Sequence, residues 1–233
     1  MASPFKIVIP VYEGFDLLDM AGPREMFVWW GNYDSTREIQ VIVAAEKKGN
    51  VWAYTPSPPG EPPRPGLQVV AAHSFADIDH VDLLWVPGGA VESLKREMKN
   101  PEYMNFLKRV AKDATYVASV CEGALLLAHA GLLDGFEVTT HWAFIPCLQQ
   151  HYPKVKVAPG YPRFIVDDHN GKLTKGIRVT GGGISSGLDE SLKLILVAAG
   201  QEVAEQVQTV TQYFPSPPVN GTIPGATSCP LWS

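Results

Sequence analysis

Short apolar runs and helix-like stretches alternate along nearly the whole chain, and this order constrains the fold more than any other feature. Segments with helical spacing of apolar residues, such as 101–114, separate the runs. A strand–helix–strand order requires crossover connections, so it predicts an α/β fold with a mainly parallel central sheet. The clearest strand-like runs are FKIVIPVY (5–12), EIQVIVAAE (38–46), VDLLWV (81–86) and TYVASV (115–120).

Two stretches interrupt this alternating order. The segment TPSPPGEPPRPG (55–66) is rich in proline and is expected to form a surface loop. Residues 215–233 carry no strand or helix pattern and are expected to be a tail of low order, lying on its own subunit or on a partner. Because the sequence shows no internal repeat and no linker, we expect one domain over residues 1–233.

The charge pattern and the apolar runs exclude several functional classes. The formal net charge is −5, and the basic residues are scattered without a basic stripe, so no nucleic-acid partner is predicted. The first residues lack the pattern of a secretory signal, and no window approaches the roughly 20 apolar residues of a membrane-spanning helix. The sequence therefore predicts a cytoplasmic protein that binds neither nucleic acid nor membranes.

The cysteine and histidine patterns give no sign of a stabilising cross-link or a metal. Cys121, Cys147 and Cys229 are an odd and sparse set, with neither a disulfide framework nor zinc-ligand spacing. The histidines are scattered along the chain. We therefore expect reduced cysteines, no metal and no cofactor.

Cys121 lies where the strand-like run 115–120 meets an alanine- and leucine-rich helix pattern that begins at Gly123. The carboxyl ends of parallel strands form the usual ligand-binding edge, and a sharp strand-to-helix turn presents its side chain there. Backbone amides at the helix start would favour the thiolate and lower the thiol pKa. A buried, inert cysteine is an equally open alternative.

Carboxyl groups near the same edge are candidate partners for this thiol. Asp19 and the less favoured Asp16 follow the first strand. Asp19 either caps a helix expected to run from Pro23 to Gly31 or acts as the acid and base that a nucleophilic thiol needs. Glu122 would be favoured at a helix start, yet it would oppose thiolate formation if it pointed at the sulfur.

His141 and two glycine runs complete the candidate site. The runs at 87–89 and 180–183 follow strand-like segments and are expected at the same sheet edge. His141 begins a helix pattern, and we consider it a candidate substrate-binding residue. A capping or packing role explains its position equally well.

Five motifs together match a known family. On these motifs the chain resembles the ThiJ/PfpI superfamily over almost its whole length, which implies a flavodoxin-like three-layer sandwich with a nucleophile elbow, akin to class I glutamine amidotransferase domains. Within the superfamily it is most similar to isonitrile hydratases and also similar to the sensory halves of AraC-type regulators, although no helix-turn-helix segment is expected here. The motifs are IPVYEGFDLLDMAGPREMF, VDLLWVPGGA, VASVCEGALLLAHAGLLDG, TTHWAF and VTGGGISSGLDESLKLI.

The resemblance implies a role for each candidate residue. Cys121 would be the nucleophile and Asp19 the carboxylic acid beside it, while the amides of Gly88, Gly89 and Glu122 would stabilise an anion. Glu122 is also a catalytic candidate, because isonitrile hydratases usually carry at this position a threonine that helps to position water or substrate. Members of the superfamily are typically homodimers with the site near the interface, so we expect a homodimer that acts on a small molecule.

The predicted function is hydration of isonitriles to N-substituted formamides. Cys121 would attack the isonitrile carbon to form a thioimidate, and Asp19 would act as acid and then as base. One alternative is a glyoxalase, deglycase or amidase-like hydrolase, in which His141 would serve as a second base. Another is a redox or stress sensor without turnover, in which Cys121 is oxidised.

Overall fold

The computed structural model describes residues 3–58 and 66–232. Its centre is a seven-stranded sheet with the order β10-β11-β7-β6-β1-β2-β5, in which only the edge pair β10–β11 is antiparallel. Two small sheets pair β3 with β4 and β8 with β9. The strands are β1 Phe5–Pro10, β2 Ile39–Ala45, β3 Gly49–Trp52, β4 Gln68–Ala71, β5 His73–Ser74, β6 Leu83–Val86, β7 Tyr116–Ser119, β8 Glu137–Val138, β9 Lys156–Val157, β10 Phe164–Asp167 and β11 Ile177–Gly181.

The helices form two groups around the large sheet. The first, sixth and seventh helices pack against one another, and the second packs against the third and fourth. None of the helices in the described part of the chain combines the length and apolar character needed to cross a membrane. The helices are α1 Leu17–Tyr33, α2 Val91–Met98, α3 Pro101–Ala111, α4 Gly123–His129, α5 Ile145–His151, α6 Ser186–Ala199 and α7 Gln201–Val210, with short 3-10 turns at Phe75–Asp77 and Trp142–Phe144.

The large sheet confirms the predicted α/β class with a mainly parallel sheet. Every residue of its central strands β6 and β7 is buried, as expected for parallel strands covered on both faces. The alternation of strands and helices therefore arises from crossover connections, as the sequence predicted. The carboxyl ends of β1, β6, β7 and β11 lie side by side, and they carry the candidate site.

Helix α1 begins earlier and ends later than the sequence predicted. The Asp16 carboxylate caps it by accepting from the Leu18 amide at 3.2 Å, so Pro23 lies inside the helix rather than at its start. A proline there cannot donate to the carbonyl four residues back, which belongs to Asp19. The indole Nε1 of Trp85 donates to that carbonyl instead, at 2.8 Å.

The proline-rich segment 55–66 lies mainly in residues 59–65, outside the described part of the chain. The flanking strands β3 and β4 pair antiparallel, so the segment connects the two strands of a hairpin. A bridge between Phe15 and Ala53 joins this hairpin to the loop after β1. The hairpin therefore stands next to the carboxyl edge of the sheet.

The tail contains no helix or strand over residues 215–232 and returns to α5. There Cys229 forms a disulfide with Cys147, so the expectation of three reduced cysteines is wrong. The Trp232 ring lies against His151, with ring centroids 4.1 Å apart. The pair was not evident from spacing because 82 residues separate the two cysteines.

Candidate functional site

Cys121 occupies a strained turn between β7 and α4. Its φ angle is +56°, a left-handed conformation that residues other than glycine rarely adopt. The Cys121 amide donates to the Gly182 carbonyl at 2.8 Å, and the Thr140 hydroxyl donates to the Cys121 carbonyl at 2.7 Å. Gly123 is required beside it, because an added Cβ would lie 2.1 Å from the Val86 carbonyl oxygen. The geometry is that of a nucleophile elbow.

Three candidate side chains meet at this turn. The Cys121 sulfur and one carboxylate oxygen from each of Asp19 and Glu122 all lie within 4.8 Å of one another, and all three residues are buried. Within the described residues, the side chains that could bind a metal ion together are this same group of three. Asp19 is oriented by the Gly88 amide, which donates to its Oδ2 at 2.8 Å.

The resting thiol is not activated in the way that the sequence suggested. Burial raises the pKa of Cys121 well above its ordinary value, and the nearby charges of Asp19 and Glu122 raise it further. The Ile184 amide, which donates to the sulfur, lowers the pKa by a smaller amount. The expectation of a thiol pKa lowered by the helix start is therefore wrong, and at neutral pH Cys121 holds its proton.

The two carboxyl groups differ in their affinity for a proton. Burial raises the pKa of Asp19 well above its usual range, and repulsion from Asp16 and Glu122 adds to this, so Asp19 holds its proton more tightly than an ordinary aspartic acid. Burial also raises the pKa of Glu122, to about 7, while a hydrogen bond with Cys121 and the amides of Glu122 and Gly89 oppose the rise. The site therefore pairs a proton donor with a group that can exchange a proton near neutral pH.

The glycine amides after β6 lie against these carboxyl groups. A Cβ added at Gly88 would lie 2.5 Å from Glu122 Oε2 and 2.9 Å from Asp19 Oδ2. The Gly88 amide donates to Asp19, and the Gly89 amide interacts with Glu122. The family resemblance implies that these amides bind a substrate anion. In this structure they interact with the carboxyl groups of Asp19 and Glu122 instead.

His141 lies at the border of the site and contacts the thiol's neighbours. Its Nδ1 is 4.0 Å from Glu122 Oε1 and accepts a hydrogen bond from the Ala143 amide at 3.3 Å. Burial lowers the pKa of His141, which favours the neutral ring. The structure thus brings His141 next to Glu122, and it also shows the capping contact that the sequence left open.

Sequence reasoning missed a further buried acid, Glu190 on α6. Its side chain is fully buried, and neither carboxyl oxygen has a hydrogen-bond partner within the described residues. A Cβ at Gly181 would lie 2.1 Å from Glu190 Oε2 and 3.3 Å from the Ser186 hydroxyl oxygen. Burial raises the pKa of Glu190 well above its usual range, and the charge of Asp19 adds to this, so the fold favours the protonated form of Glu190.

We expect Glu190→Met to stabilise the protein at neutral pH. The variant removes a buried carboxyl group without partners and keeps an unbranched side chain, so the free energy of unfolding should rise by about 1–3 kcal/mol. Because the folded chain binds the Glu190 proton more tightly than the unfolded chain, in which Glu190 titrates at its ordinary pKa of 4.5, the gain should grow as pH rises above 4.5.

Urea unfolding at acid and neutral pH measures this gain. The matched control is Glu202→Met on the exposed surface of α7, which should change the free energy of unfolding by less than about 0.5 kcal/mol. A Glu190→Met variant that is no more stable than the native chain at either pH would contradict the prediction.

Comparison with known proteins places this site in a family. The sequence matches the model of the DJ-1/PfpI family over residues 5–169. The chain belongs to the DJ-1/PfpI family. One family relative, the isonitrile hydratase of Pseudomonas putida, is 36% identical over 207 residues, which cover 89% of this chain and 78% of that protein. A solved structure of a ThiJ/PfpI family protein from Pseudomonas syringae matches with a TM-score of 0.76 and 26% identity, over 94% of this chain and 78% of that one.

Relatives of this DJ-1/PfpI chain also include a regulator. The HTH-type transcriptional regulator GbdR of Pseudomonas aeruginosa is 28% identical over 212 residues. The match covers 91% of this chain and 51% of the regulator, so the chain spans about half the regulator's length. The predicted ThiJ/PfpI membership is confirmed, and the family contains both a hydratase and a transcriptional regulator.

Proposed function

We propose that this protein hydrates isonitriles to N-substituted formamides. The observation that carries the proposal is the meeting of the Cys121 thiol with Asp19 and Glu122, two carboxyl groups of different proton affinity, at a strand-to-helix turn. Similarity to the Pseudomonas putida isonitrile hydratase over 89% of the chain supports the same reaction class.

The first half of the proposed reaction forms a thioimidate. Protonated Asp19 transfers its proton to the terminal carbon of R–N≡C, while the Glu122 carboxylate accepts the proton of the Cys121 thiol. The sulfur then bonds to that carbon and gives R–N=CH–S–Cys121. A thiol that is neutral at rest suits this order, because its proton leaves to a hydrogen-bonded carboxylate only as the substrate carbon becomes electrophilic.

The second half consumes water and restores the site. The Asp19 carboxylate accepts a proton from water, the hydroxide oxygen bonds to the thioimidate carbon, and Glu122 returns its proton to the nitrogen. The hydroxyl proton then passes to the sulfur as the C–S bond breaks, which releases R–NH–CHO and the free thiol. The sum is R–NC plus water giving the formamide, with no cofactor required.

The charge of the site favours this reaction over amide hydrolysis. Protonation of an isonitrile carbon creates positive charge, which neighbouring carboxyl groups stabilise. Amide hydrolysis creates an oxyanion that needs free amide donors, whereas the Gly88 and Gly89 amides lie against Asp19 and Glu122. We therefore assign His141 a substrate-binding role at the border of the site rather than that of a second base.

Formamide production from a neutral, bulky isonitrile tests the proposal. Native protein should form one formamide per isonitrile consumed, and Asp19→Asn should lower kcat by about 100-fold because the amide cannot donate the acid's proton. The matched control is Asp16→Asn, which changes the N-cap acid just before α1. The Asp16 side chain accepts from the Leu18 amide, and its contact with Gly88 runs through the backbone amide, which the substitution keeps. Absence of formamide with a range of neutral isonitriles would overturn the proposal.

A ligand sensor is the second candidate, because the GbdR match covers 91% of this chain. A sensor would bind a small molecule at Cys121 without releasing product. Thermal unfolding, run beside the formamide assay, separates the two functions. A compound that raises the melting temperature further at each higher concentration but is recovered unchanged supports the sensor.

We further propose that the protein is a homodimer. The hairpin beside the site exposes apolar side chains, with Leu67 64% and Val70 68% exposed, which supports a self-association surface. Sedimentation equilibrium at micromolar concentration should give twice the chain mass. The sequence predicts a cytoplasmic location, and the Cys147–Cys229 disulfide weighs against it because the cytoplasm is reducing. The redox state of these cysteines in cells tests that location.

A further inference from the structure

The carboxyl group of Glu122 lies against the glycine amides that follow β6. Its Oε2 lies 2.5 Å from the position of a Cβ added at Gly88, and the Gly89 amide and its own amide interact with its carboxylate. Its oxygen and the Cys121 sulfur are within 4.8 Å of each other. A carboxylate bound next to the sulfur would therefore compete with Glu122 for the same donors.

The surroundings of Glu122 contain acids but no paired cation. Within the described residues, neither Asp16, Asp19 nor Glu122 forms an ion pair with lysine or arginine. The nearest basic ring, His141, is 4.0 Å away and is favoured in its neutral form by burial. The titratable groups that face Glu122 are Tyr12 after β1, Asp16 at the cap of α1, Asp19 on α1, Cys121 at the turn, and His141.

We propose that Glu122 is a specificity-determining residue that restricts the site to neutral and cationic small molecules and excludes carboxylates. The Glu122 carboxylate interacts with the amides that a substrate carboxylate would need, and it repels a second negative charge next to the thiol. This inference rests on the proposed role of Cys121 as the reacting group, and it names the substrate class on which that group acts.

Alkylation of Cys121 tests the exclusion without any turnover. Iodoacetamide and iodoacetate have nearly the same size, and each loses iodide as the sulfur bonds to its methylene carbon, but only iodoacetate carries a carboxylate. Cys121 is the free cysteine of the described chain, so intact mass reports its labelling directly. The ratio of the two rates cancels the intrinsic reactivity of the thiol.

The ratio of the iodoacetamide rate to the iodoacetate rate should be at least about tenfold larger for the native chain than for Glu122→Gln. The reason is that the Glu122 carboxylate repels the iodoacetate carboxylate over a few ångströms in a poorly solvated site. The preference should weaken about one pH unit below the Glu122 pKa of about 7 and strengthen one unit above it. Asp16→Asn is the matched control, since it removes a nearby acid that does not contact the glycine amides, and it should leave most of the preference intact.

The outcomes separate this inference from the proposed function. Equal preference in the native chain and Glu122→Gln overturns the specificity role while leaving Cys121 as a reactive group. If Asp16→Asn loses as much of the preference as Glu122→Gln does, the specificity role is also overturned. The total negative charge near the site, rather than Glu122 itself, would then explain the effect. Failure of both reagents to label native Cys121 overturns the specificity role and the nucleophile assignment together.

Discussion

Replacement of Cys121 by serine or alanine is expected to lower formamide production from a neutral isonitrile by at least about a thousandfold. The proposed route passes through a covalent C–S bond, and neither a buried hydroxyl nor a methyl group can replace the sulfur as nucleophile. The remaining carboxyl groups could only orient water, so the residual rate should approach that of the uncatalysed reaction. Single-turnover assays with enzyme in excess measure the loss directly.

Folding controls decide whether that loss is chemical. Serine and alanine meet the same left-handed backbone as Cys121, so both variants should retain the native circular dichroism spectrum and unfold cooperatively. A thioimidate adduct should be visible by intact mass in the native chain under rapid quenching and absent from both variants. Formamide production by a folded Cys121→Ala protein at more than a tenth of the native rate would refute covalent catalysis.

Removal of the Cys147–Cys229 disulfide is expected to have the largest effect on stability. The cross-link joins residues 82 positions apart, and the loop-entropy model for a loop of that length gives a loss of about 4 kcal/mol in the free energy of unfolding. For a chain of this size the melting temperature should fall by about 10 °C. The double variant Cys147→Ala/Cys229→Ala avoids leaving one unpaired thiol.

Reduction provides the matched comparison for this variant. Treating the native protein with a thiol reductant should lower its melting temperature by a similar amount, and the same treatment should leave the double variant unchanged. A native chain whose melting temperature ignores the reductant, with the disulfide shown by mass to be broken, would contradict the prediction.

The sheet could be predicted because its signals are local and agree with one another. The start of α3 is another local signal, because the Asn100 side chain accepts from the amides of Glu102 and Tyr103 a few positions later. The limits of α1 could not be predicted, because proline and glycine usually mark helix ends. Here the contact of Trp85 with a backbone carbonyl and the close approach of Gly31 to Ile39 override those signals.

The position of the thiol could be predicted, but its protonation could not. The sequence shows that Cys121 lies just before the start of a helix, and the backbone dipole there favours a thiolate. The opposing contributions come from burial and from Asp19, which lies about a hundred positions earlier and is brought close by the fold. Glu190 was missed because one acid among apolar residues of a helix pattern is normally a surface residue.

Both the carboxyl group and the backbone oxygen of Asp19 are bound by strand β6 and the glycine loop after it. Its carboxyl group is bound by the amide after β6, and its backbone oxygen is bound by the indole of β6 itself. The position of the Asp19 side chain is therefore set by the sheet, as is that of the Cys121 sulfur after β7. We therefore expect substitutions on the outer side of α1 to leave the distance between the Asp19 carboxyl group and the Cys121 sulfur unchanged.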